Sequence, residues 1–411
     1  MRYGVLVFLC AAAVIAYVQR TALSVPTKDI QNDLHLTAED LGLVMGCWYW
    51  AYGLLQIPSG WLADRVGSKR AMLLFAVLWS CAVGLVGLAK GITGLLLLWA
   101  MTGLAQAGLV PTAVKSIRGW FPETDRATAS GFFIASMALG SAIASFVAAT
   151  LLKSFTWREM LGLYVLPGLI WAIAFGFVVP SAKERLPAAV PMGNAINRMA
   201  TSLPMILLCA QMFLRAGAMA FFFTWFPRFL QETRGVSQSE SGELAVCPGI
   251  GAMIGGLLGG LTSDWLLRAT GHARLSRQGL AVLGMVFCST FAVTAHFIQD
   301  PGITVLLISV GAFWATLGGV SGYTVAIELG GRRVATVFSV MNAAGSVGAG
   351  LFTYTVGWIV KRVDHWDFVL LMFAGVFAAD AVCWAFLNPK GPLFTDETEF
   401  LETATAEESS R

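Results

Sequence analysis

The sequence predicts an all-α membrane protein with about twelve transmembrane helices, built as two pseudo-symmetric six-helix bundles. Apolar residues make up 57% of the 411 residues and charged residues only 12%, whereas charged residues reach about 25% in ordinary soluble proteins. The apolar residues are gathered into separate runs, and a bilayer requires about 20 mainly apolar residues for each spanning helix. A short motif that occurs once in each half of the chain indicates that the two bundles arose by duplication.

Each apolar run is expected to be a helix because lipid offers the backbone no hydrogen-bond partners. A polar stretch divides the runs six and six, so we expect an N-terminal bundle over 1–180, a cytoplasmic linker over 181–202, a C-terminal bundle over 203–390 and an acidic cytoplasmic tail over 391–411. The predicted spans are 4–25, 40–63, 71–89, 93–116, 127–152, 159–179, 203–226, 241–262, 279–298, 302–327, 335–359 and 367–388.

Lysine and arginine are concentrated in the loops on one side of these spans, and such loops stay in the cytoplasm. We therefore expect both termini to be cytoplasmic and the protein to lie in a bacterial cytoplasmic (inner) membrane, in contact with membrane lipid. The net charge of +3 is small and spread over short loops, which argues against a nucleic acid partner. The seven cysteines lie in apolar segments without a Cys-x-x-Cys pair, so we predict neither a metal site nor a cofactor.

The strongest motif is Gly-Trp-Leu-Ala-Asp-Arg-Val-Gly-Ser-Lys-Arg, which runs from Gly60 to Arg70. Its glycines permit close helix packing, and we expect Asp64 to pair with an arginine and to face a helix N-terminus, where a negative charge is favoured by about 0.3–1 kcal/mol. Such contacts would form only when the cytoplasmic side is closed, as a conformational latch; the alternative is a plain glycine-rich turn. The eighth span ends in the related Gly-Leu-Thr-Ser-Asp at Asp264. The candidate latch residues are Gly60, Asp64, Arg65, Gly67, Arg70 and Asp264.

The 60–70 motif resembles the signature between helices 2 and 3 of the major facilitator superfamily. Three other segments, 16–24, 57–60 and 120–126, resemble the anion:cation symporter branch of that superfamily, and 224–235 and 259–264 extend the likeness into the second half. The resemblance implies the major facilitator fold and transport of sugar acids, hexuronates, phosphate or other organic anions. It says little about which of these anions is carried.

Two arginines stand alone in predicted spans, Arg20 in the first and Arg215 in the seventh. A charge at such depth costs at least about 2.5–3.5 kcal/mol unless it is paired or solvated. In the branch that the chain resembles, the arginine matching Arg20 binds the substrate anion, and its guanidinium fork suits a carboxylate or a phosphate. Arg215 would then clamp the same anion from the second half. The alternatives are an internal ion pair or a carbonyl cap for Arg20, and snorkelling or a pair with Asp380 for Arg215.

The chain also departs from the branch where proton-coupled members carry acids. Gln19 precedes the arginine of the first span and Gln106 lies in the fourth, and a neutral amide takes up no proton. We expect these amides either to hydrogen-bond the substrate or to serve a structural network. The remaining candidate substrate contacts are Tyr52 and Gln56, which share a face of the second span, and Asn342 in the eleventh.

These observations predict a secondary transporter that moves a small organic anion by alternating access, with both symport and exchange left open. The coupling ion is not determined: a proton, sodium or none are all consistent with the sequence. Competing interpretations are an organophosphate or anion exchanger or facilitator, an efflux pump for hydrophobic compounds, and a non-transporting sensor. We find no nucleophile–base pair or phosphate-binding loop, so we do not expect an enzyme. We expect the protein to act as a monomer.

Overall fold

The computed structural model describes residues 1–181, 192–363, 367–388 and 391–394. Within this part of the chain all regular secondary structure is helical. Part of the predicted linker, 182–191, and most of the predicted tail, 395–411, lie outside the described residues. The α-helices are α1 (Arg2–Arg20), α2 (Thr27–Leu34), α3 (Ala38–Val66), α4 (Ser68–Val86), α5 (Ile92–Gln106), α6 (Leu109–Trp120), α7 (Arg126–Leu151), α8 (Trp157–Leu163), α9 (Val165–Val178), α10 (Met192–Thr201), α11 (Leu203–Thr224), α12 (Phe226–Arg234), α13 (Gln238–Leu244), α14 (Val246–Thr270), α15 (Leu280–His296), α16 (Pro301–Gly330), α17 (Val334–Val363) and α18 (Asp367–Phe386).

Each predicted span corresponds to one helix or to two consecutive helices. The fourth span is divided between α5 and α6, and the sixth between α8 and α9. Ten stretches of the described chain are long and apolar enough to cross a membrane. One of them, Pro301–Phe352, covers two helices, whereas α3 is outside the set. The prediction of an all-α, multi-pass membrane protein is therefore confirmed.

Large apolar side chains remain exposed on these helices, among them Phe177 at 89% and Leu54 at 76%. A water-soluble protein of this size would not expose so many apolar side chains on its helices. In a multi-pass membrane protein they are the surface that contacts the hydrocarbon chains of lipid.

Glycines at intervals of four residues bring α14 and α16 together. A Cβ at Gly251, Gly255 or Gly259 would meet backbone atoms of Ser309, Phe313 or Leu317 on α16. Small residues at this spacing let helix backbones approach closely. In the first half, Gly103 on α5 plays the same part, since a Cβ there would meet the backbone carbonyl of Trp48 on α3.

The chain separates into two compact units, each described here by itself. The N-terminal unit contains Met1–Phe121, Ser136–Pro187 and Arg332–Ser339. The C-terminal unit contains Pro122–Ala135, Ala188–Gly331 and Val340–Arg411. They differ from the predicted bundles in two segments: the beginning of α7 is grouped with the C-terminal unit, and the beginning of α17 with the N-terminal unit.

Candidate functional site

Arg20 lies among aromatic rings in the N-terminal unit. Its Cζ atom is 4.2 Å from the ring centroid of Trp48, 5.1 Å from that of Tyr49, and 5.3 Å from those of Tyr17 and Tyr52. Cations over aromatic faces gain about 0.5–2 kcal/mol each, depending on desolvation. Among the described residues Arg20 forms no ion pair with a carboxylate. The aromatic cage therefore holds the guanidinium without neutralising its charge.

The local structure explains how the cage forms. Helix α1 ends at Arg20 rather than continuing to residue 25 as predicted, because the chain turns through Ala22 and Ser24 and reaches Pro26, which disfavours helix in the residue before it. Arg20 thus lies at a helix C-terminus, where a positive charge is favoured. On α3, the rings of Trp48 and Tyr52 are four residues apart and stack with centroids separated by 4.9 Å.

The two glutamines predicted as substrate contacts hydrogen-bond backbone carbonyls inside the N-terminal unit. The buried Gln19 donates from Nε2 to the Tyr164 carbonyl at 2.6 Å, between α8 and α9. The buried Gln106 donates from Nε2 to the Ala16 carbonyl at 3.2 Å and so links α5 to α1. These bonds favour the structural alternative for both amides. They show that Gln19 and its neighbour Arg20 project in different directions from α1.

The other predicted contacts are divided between the units. Tyr52 is nearly buried and belongs to the cage around Arg20. Gln56, one turn further along α3, is fully buried. Asn342 lies on α17 within the C-terminal unit, is half-buried, and its backbone carbonyl accepts a hydrogen bond from Ser346 at 3.1 Å. The structure therefore brings Arg20 and Tyr52 together, whereas Asn342 is described only within its own unit.

Arg215 occupies a different environment in the C-terminal unit. The guanidinium fits against α16, where a Cβ at Gly319 would meet its Nη1 atom at 2.6 Å. Its Nη2 atom lies 3.0 Å from the sulfur of Met212, and its buried Nε has no hydrogen-bond partner in the described part of the chain. Asp380 on α18 acts on Arg215 electrostatically but forms no direct ion pair with it. The predicted alternative of an Arg215–Asp380 pair is seen here as a charge interaction without direct contact, and it stays a prediction.

Asp64 caps the beginning of α17. Its carboxylate accepts hydrogen bonds from the backbone N–H of Ala335 at 3.2 Å and of Thr336 at 2.8 Å, and from the Thr336 hydroxyl at 2.7 Å. These are N–H groups that the first turn of a helix leaves unpaired. The predicted arginine partner of Asp64 is wrong: Lys115 of α6 forms the ion pair at 3.0 Å, and both side chains are buried.

The glycines and arginines of the 60–70 motif have separate roles. A Cβ at Gly60 would collide with the Ser339 hydroxyl and the Ala335 carbonyl oxygen, so only glycine permits this contact with α17. Gly67 ends α3 with a φ of 86°, a conformation that glycine adopts without strain. Arg65 stacks on Trp61 with 4.0 Å between Cζ and the ring centroid, and Arg70 is exposed. Neither arginine therefore serves as the cationic partner of Asp64, which is Lys115.

Asp264 makes the equivalent cap in the C-terminal unit. Its carboxylate accepts from the backbone N–H of Ala127 at 3.3 Å and of Thr128 at 2.6 Å, at the beginning of α7. Its cationic partner is Arg277, with an Nη1–Oδ1 distance of 2.9 Å and both side chains fully buried. The same two parts, a carboxylate on a helix N-terminus and a buried cation, therefore occur in both units.

Sequence reasoning missed several residues of these sites. Tyr17 contributes a ring to the cage around Arg20, and the buried Gln211 lies with Arg215 against Gly322 of α16. Tyr17 precedes Arg20 by three residues and Gln211 precedes Arg215 by four, and these spacings place side chains on one helix face. Lys115 and Arg277 belong to the lysines and arginines that the sequence places on the cytoplasmic side. Their pairing with Asp64 and Asp264 is not predictable, because the sequence does not show which helix packs beside each aspartate.

The helices, the caged arginine and the paired helix caps define a helical membrane transport protein. A model of the Major Facilitator Superfamily matches residues 9–353, and the chain belongs to this family. It is a multi-pass membrane transporter and not an enzyme.

Several characterised or named transporters are similar along almost the whole chain. The hexuronate transporter of Bacillus subtilis (strain 168) is 30% identical over 92% of this chain and 93% of its own length. The D-galactonate transporter of Escherichia coli O6:H1 is 27% identical over 88% of this chain and 89% of its own. A probable sulfoacetate transporter of Cupriavidus necator is 25% identical over 94% of each chain.

Solved structures show the same fold at low sequence identity. The transporter FucP in its outward conformation matches with a TM-score of 0.75 at 14% identity, over 93% of this chain and 98% of that chain. The proton:xylose symporter XylE matches with a TM-score of 0.70 at 16% identity, over 94% of this chain and 96% of that chain.

Proposed function

We propose that this protein is a secondary transporter that carries a small organic anion, a sugar acid or a related carboxylate, by alternating access. The observation that supports this most directly is Arg20, a cation held by four aromatic rings without a carboxylate partner in the described residues. A guanidinium presents a planar fork that binds a carboxylate with two hydrogen bonds. The relatives named for hexuronate, D-galactonate and sulfoacetate all carry small anions.

The aromatic cage contributes to anion binding in two ways. It fixes the guanidinium in place, which lowers the entropy that binding must overcome. It also replaces a carboxylate counter-ion with neutral rings, so that the incoming anion meets an uncompensated positive charge. Tyr52 and Tyr49 supply hydroxyl groups beside this charge, which suit the hydroxyl-rich sugar acids.

The helix caps at Asp64 and Asp264 supply the conformational part of the proposal. Each cap combines backbone N–H groups with a buried cation. We assign both caps to one of the two alternating states and expect them to be broken in the other. A ligand shifts such an equilibrium only by its difference in affinity for the two states, so the caps set the population from which transport begins.

The positive-inside distribution of lysine and arginine supports a bacterial cytoplasmic membrane location with both termini in the cytoplasm. The exposed apolar side chains on the long helices supply the surface for lipid. We expect the transporter to work as a monomer.

The test is a thermal-stability screen of the purified protein with hexuronates, D-galactonate, sulfoacetate, sugar phosphates, inorganic phosphate and neutral sugars. A ligand at 100 times its dissociation constant stabilises the folded state by about 2.7 kcal/mol. We expect a sugar acid to stabilise the parent and not the Arg20→Gln variant. The matched control is Arg228→Gln, which removes an exposed arginine from the Arg228–Glu232 pair and should leave the response unchanged. Equal stabilisation of the parent and Arg20→Gln would reject Arg20 as the anion anchor.

A further inference from the structure

Asp380 on α18 is a carboxylate buried in the transmembrane region without a bonded partner. Its side chain is fully buried, and neither Oδ1 nor Oδ2 has a hydrogen-bond partner among the described residues. Nearly all buried polar groups in proteins are hydrogen-bonded, so an exception calls for an explanation. An isolated buried carboxylate that finds no partner takes up a proton instead of remaining ionised.

Among the helices that pack around Asp380, Arg215 is the cation whose charge acts on its carboxylate without direct contact. Helix α18 packs against α11, α15 and the short segment Arg274–Gly279. Arg215 on α11 is the cation whose charge acts on Asp380, while Arg277 is bound to Asp264. The charged and titratable side chains on these elements are Cys209 and Arg215 on α11, Cys288 and His296 on α15, Arg274 and Arg277 in the short segment, and Cys383 and the helix-initial Asp367 on α18.

The positions where a transporter of this kind would take up a proton near Arg20 are occupied by amides. Gln19 and Gln106 each donate to a backbone carbonyl, and neither amide titrates. Asp64 and Asp264 are engaged with helix N-termini and buried cations. Asp380 is therefore a buried carboxylate without a hydrogen bond among the described residues, and it lies under the influence of the charge of Arg215. The two glutamines and the two capping aspartates do not combine these properties.

We propose that Asp380 is the proton-binding site of this transporter and that its protonation is linked to anion binding through the charge of Arg215, the second arginine that the sequence predicts as an anion contact. This proposal rests on the proposed function, because it requires an anionic substrate. The step is a reversible proton transfer: an O–H bond forms on Asp380 with a proton from the water phase on one side, and breaks with release of that proton on the other. No oxidant, reductant or further reactant takes part.

The sign of the linkage follows from the charges. When Asp380 is ionised it offsets the positive charge of Arg215, which weakens the attraction for an anion. When Asp380 is protonated, the charge of Arg215 acts fully on the anion. Binding linkage is reciprocal, so the anion raises the proton affinity of Asp380 by the same factor. Proton and anion therefore bind together and leave together, which is symport.

The first experiment measures uptake into liposomes that contain the full-length protein, with D-galactonate and a hexuronate as probes and an imposed pH gradient, acidic outside. We expect the parent to accumulate the probe against its gradient, and Asp380→Asn to lose accumulation while it still exchanges internal for external probe. Cys383→Ala, on the same helix, is the matched control and should accumulate like the parent. Accumulation by Asp380→Asn that matches the parent would overturn the proposal.

A second measurement needs no substrate and stays informative if the liposome assay fails. The difference infrared spectrum between the parent and Asp380→Asn at neutral pH should contain the C=O stretching band of a protonated carboxylic acid, which should vanish as the pH is raised. A spectrum that shows an ionised carboxylate instead would overturn the proposal. If none of the anions is transported but the protonated band is present, the proposed function fails and the proton site stands.

Discussion

The carboxylate of Asp64 lies 2.8 Å from the backbone nitrogen of Thr336, more than 270 residues later in the chain. This hydrogen bond, together with those from Ala335 and from the Thr336 hydroxyl, places a negative charge on the first turn of α17. Lys115 compensates the charge from the other side at 3.0 Å. A short motif between two helices thus controls the beginning of a helix far away in sequence.

The first prediction concerns the charge of Asp64. Asp64→Asn keeps an oxygen that can accept from the helix N-terminus but leaves Lys115 buried without its counter-ion, and breaking a buried pair costs about 3–5 kcal/mol. We expect transport in liposomes to slow by about tenfold or more, since each 1.4 kcal/mol corresponds to a factor of ten, while the substrate dissociation constant stays near that of the parent.

Two comparisons define this test. Asp264→Asn should act in the same direction but less strongly, because it removes the 2.9 Å partner of Arg277 and leaves only the longer 3.6 Å contact with Glu328. Asp33→Asn neutralises a partly exposed pair with Arg158 and keeps an oxygen that can accept from the Trp157 indole, so it should leave transport nearly unchanged. Transport by Asp64→Asn at the rate of the parent would contradict the latch.

The second prediction concerns the space at Gly60. Gly60→Ala places a Cβ against the Ser339 hydroxyl and the Ala335 carbonyl oxygen, and such overpacking costs typically about 1–3 kcal/mol. We expect a lower melting temperature and slower transport. Gly53→Ala on the same helix is the matched control, because a Cβ there meets no atom and alanine favours helix by up to about 1 kcal/mol. Equal effects of the two alanines would show that close contact at Gly60 has no special role.

The third prediction concerns the aromatic cage. Trp48→Leu removes the ring that lies 4.2 Å from the Arg20 Cζ atom, a contact worth about 0.5–2 kcal/mol. We expect anion affinity to fall between about twofold and thirtyfold, measured by ligand-induced thermal stabilisation, and Trp48→Phe to lose less. Trp79→Leu removes an equally buried indole on α4 and controls for general destabilisation. If Trp79→Leu lost as much anion affinity as Trp48→Leu, the loss would reflect general destabilisation, and the aromatic cage would have no specific role in binding.

The fourth prediction separates structural from binding roles for the glutamines. Gln19→Leu leaves the buried Tyr164 carbonyl without its donor, and an unsatisfied buried group costs about 1–3 kcal/mol. We expect a lower melting temperature with an anion dissociation constant that changes by less than about twofold. Gln106→Leu should behave alike, through the Ala16 carbonyl. A large loss of anion affinity at an unchanged melting temperature would show instead that the amide side chains bind the substrate.

Much of this protein follows from the sequence because lipid constrains the chain so strongly. Each predicted span corresponds to a helix, since a spanning segment must satisfy its own backbone and expose apolar side chains along its length. The sequence also identifies Arg20, Arg215, Asp64 and Asp264 as candidate functional residues, because a charge within an apolar segment is costly unless it has a function or a partner.

The partners of these charges were decided by the tertiary structure. The sequence places an arginine beside Asp64 along the chain, yet Lys115 forms the ion pair because α6 packs there. Gln19 adjoins Arg20 in sequence, but a helix turns about 100° for each residue, and the amide reaches Tyr164 while the guanidinium reaches the aromatic cage. The sequence by itself determined which segments cross the membrane and which ionisable side chains lie within them. Packing between distant helices decided which of those side chains form ion pairs, and among the described residues it leaves Arg20 and Asp380 without one.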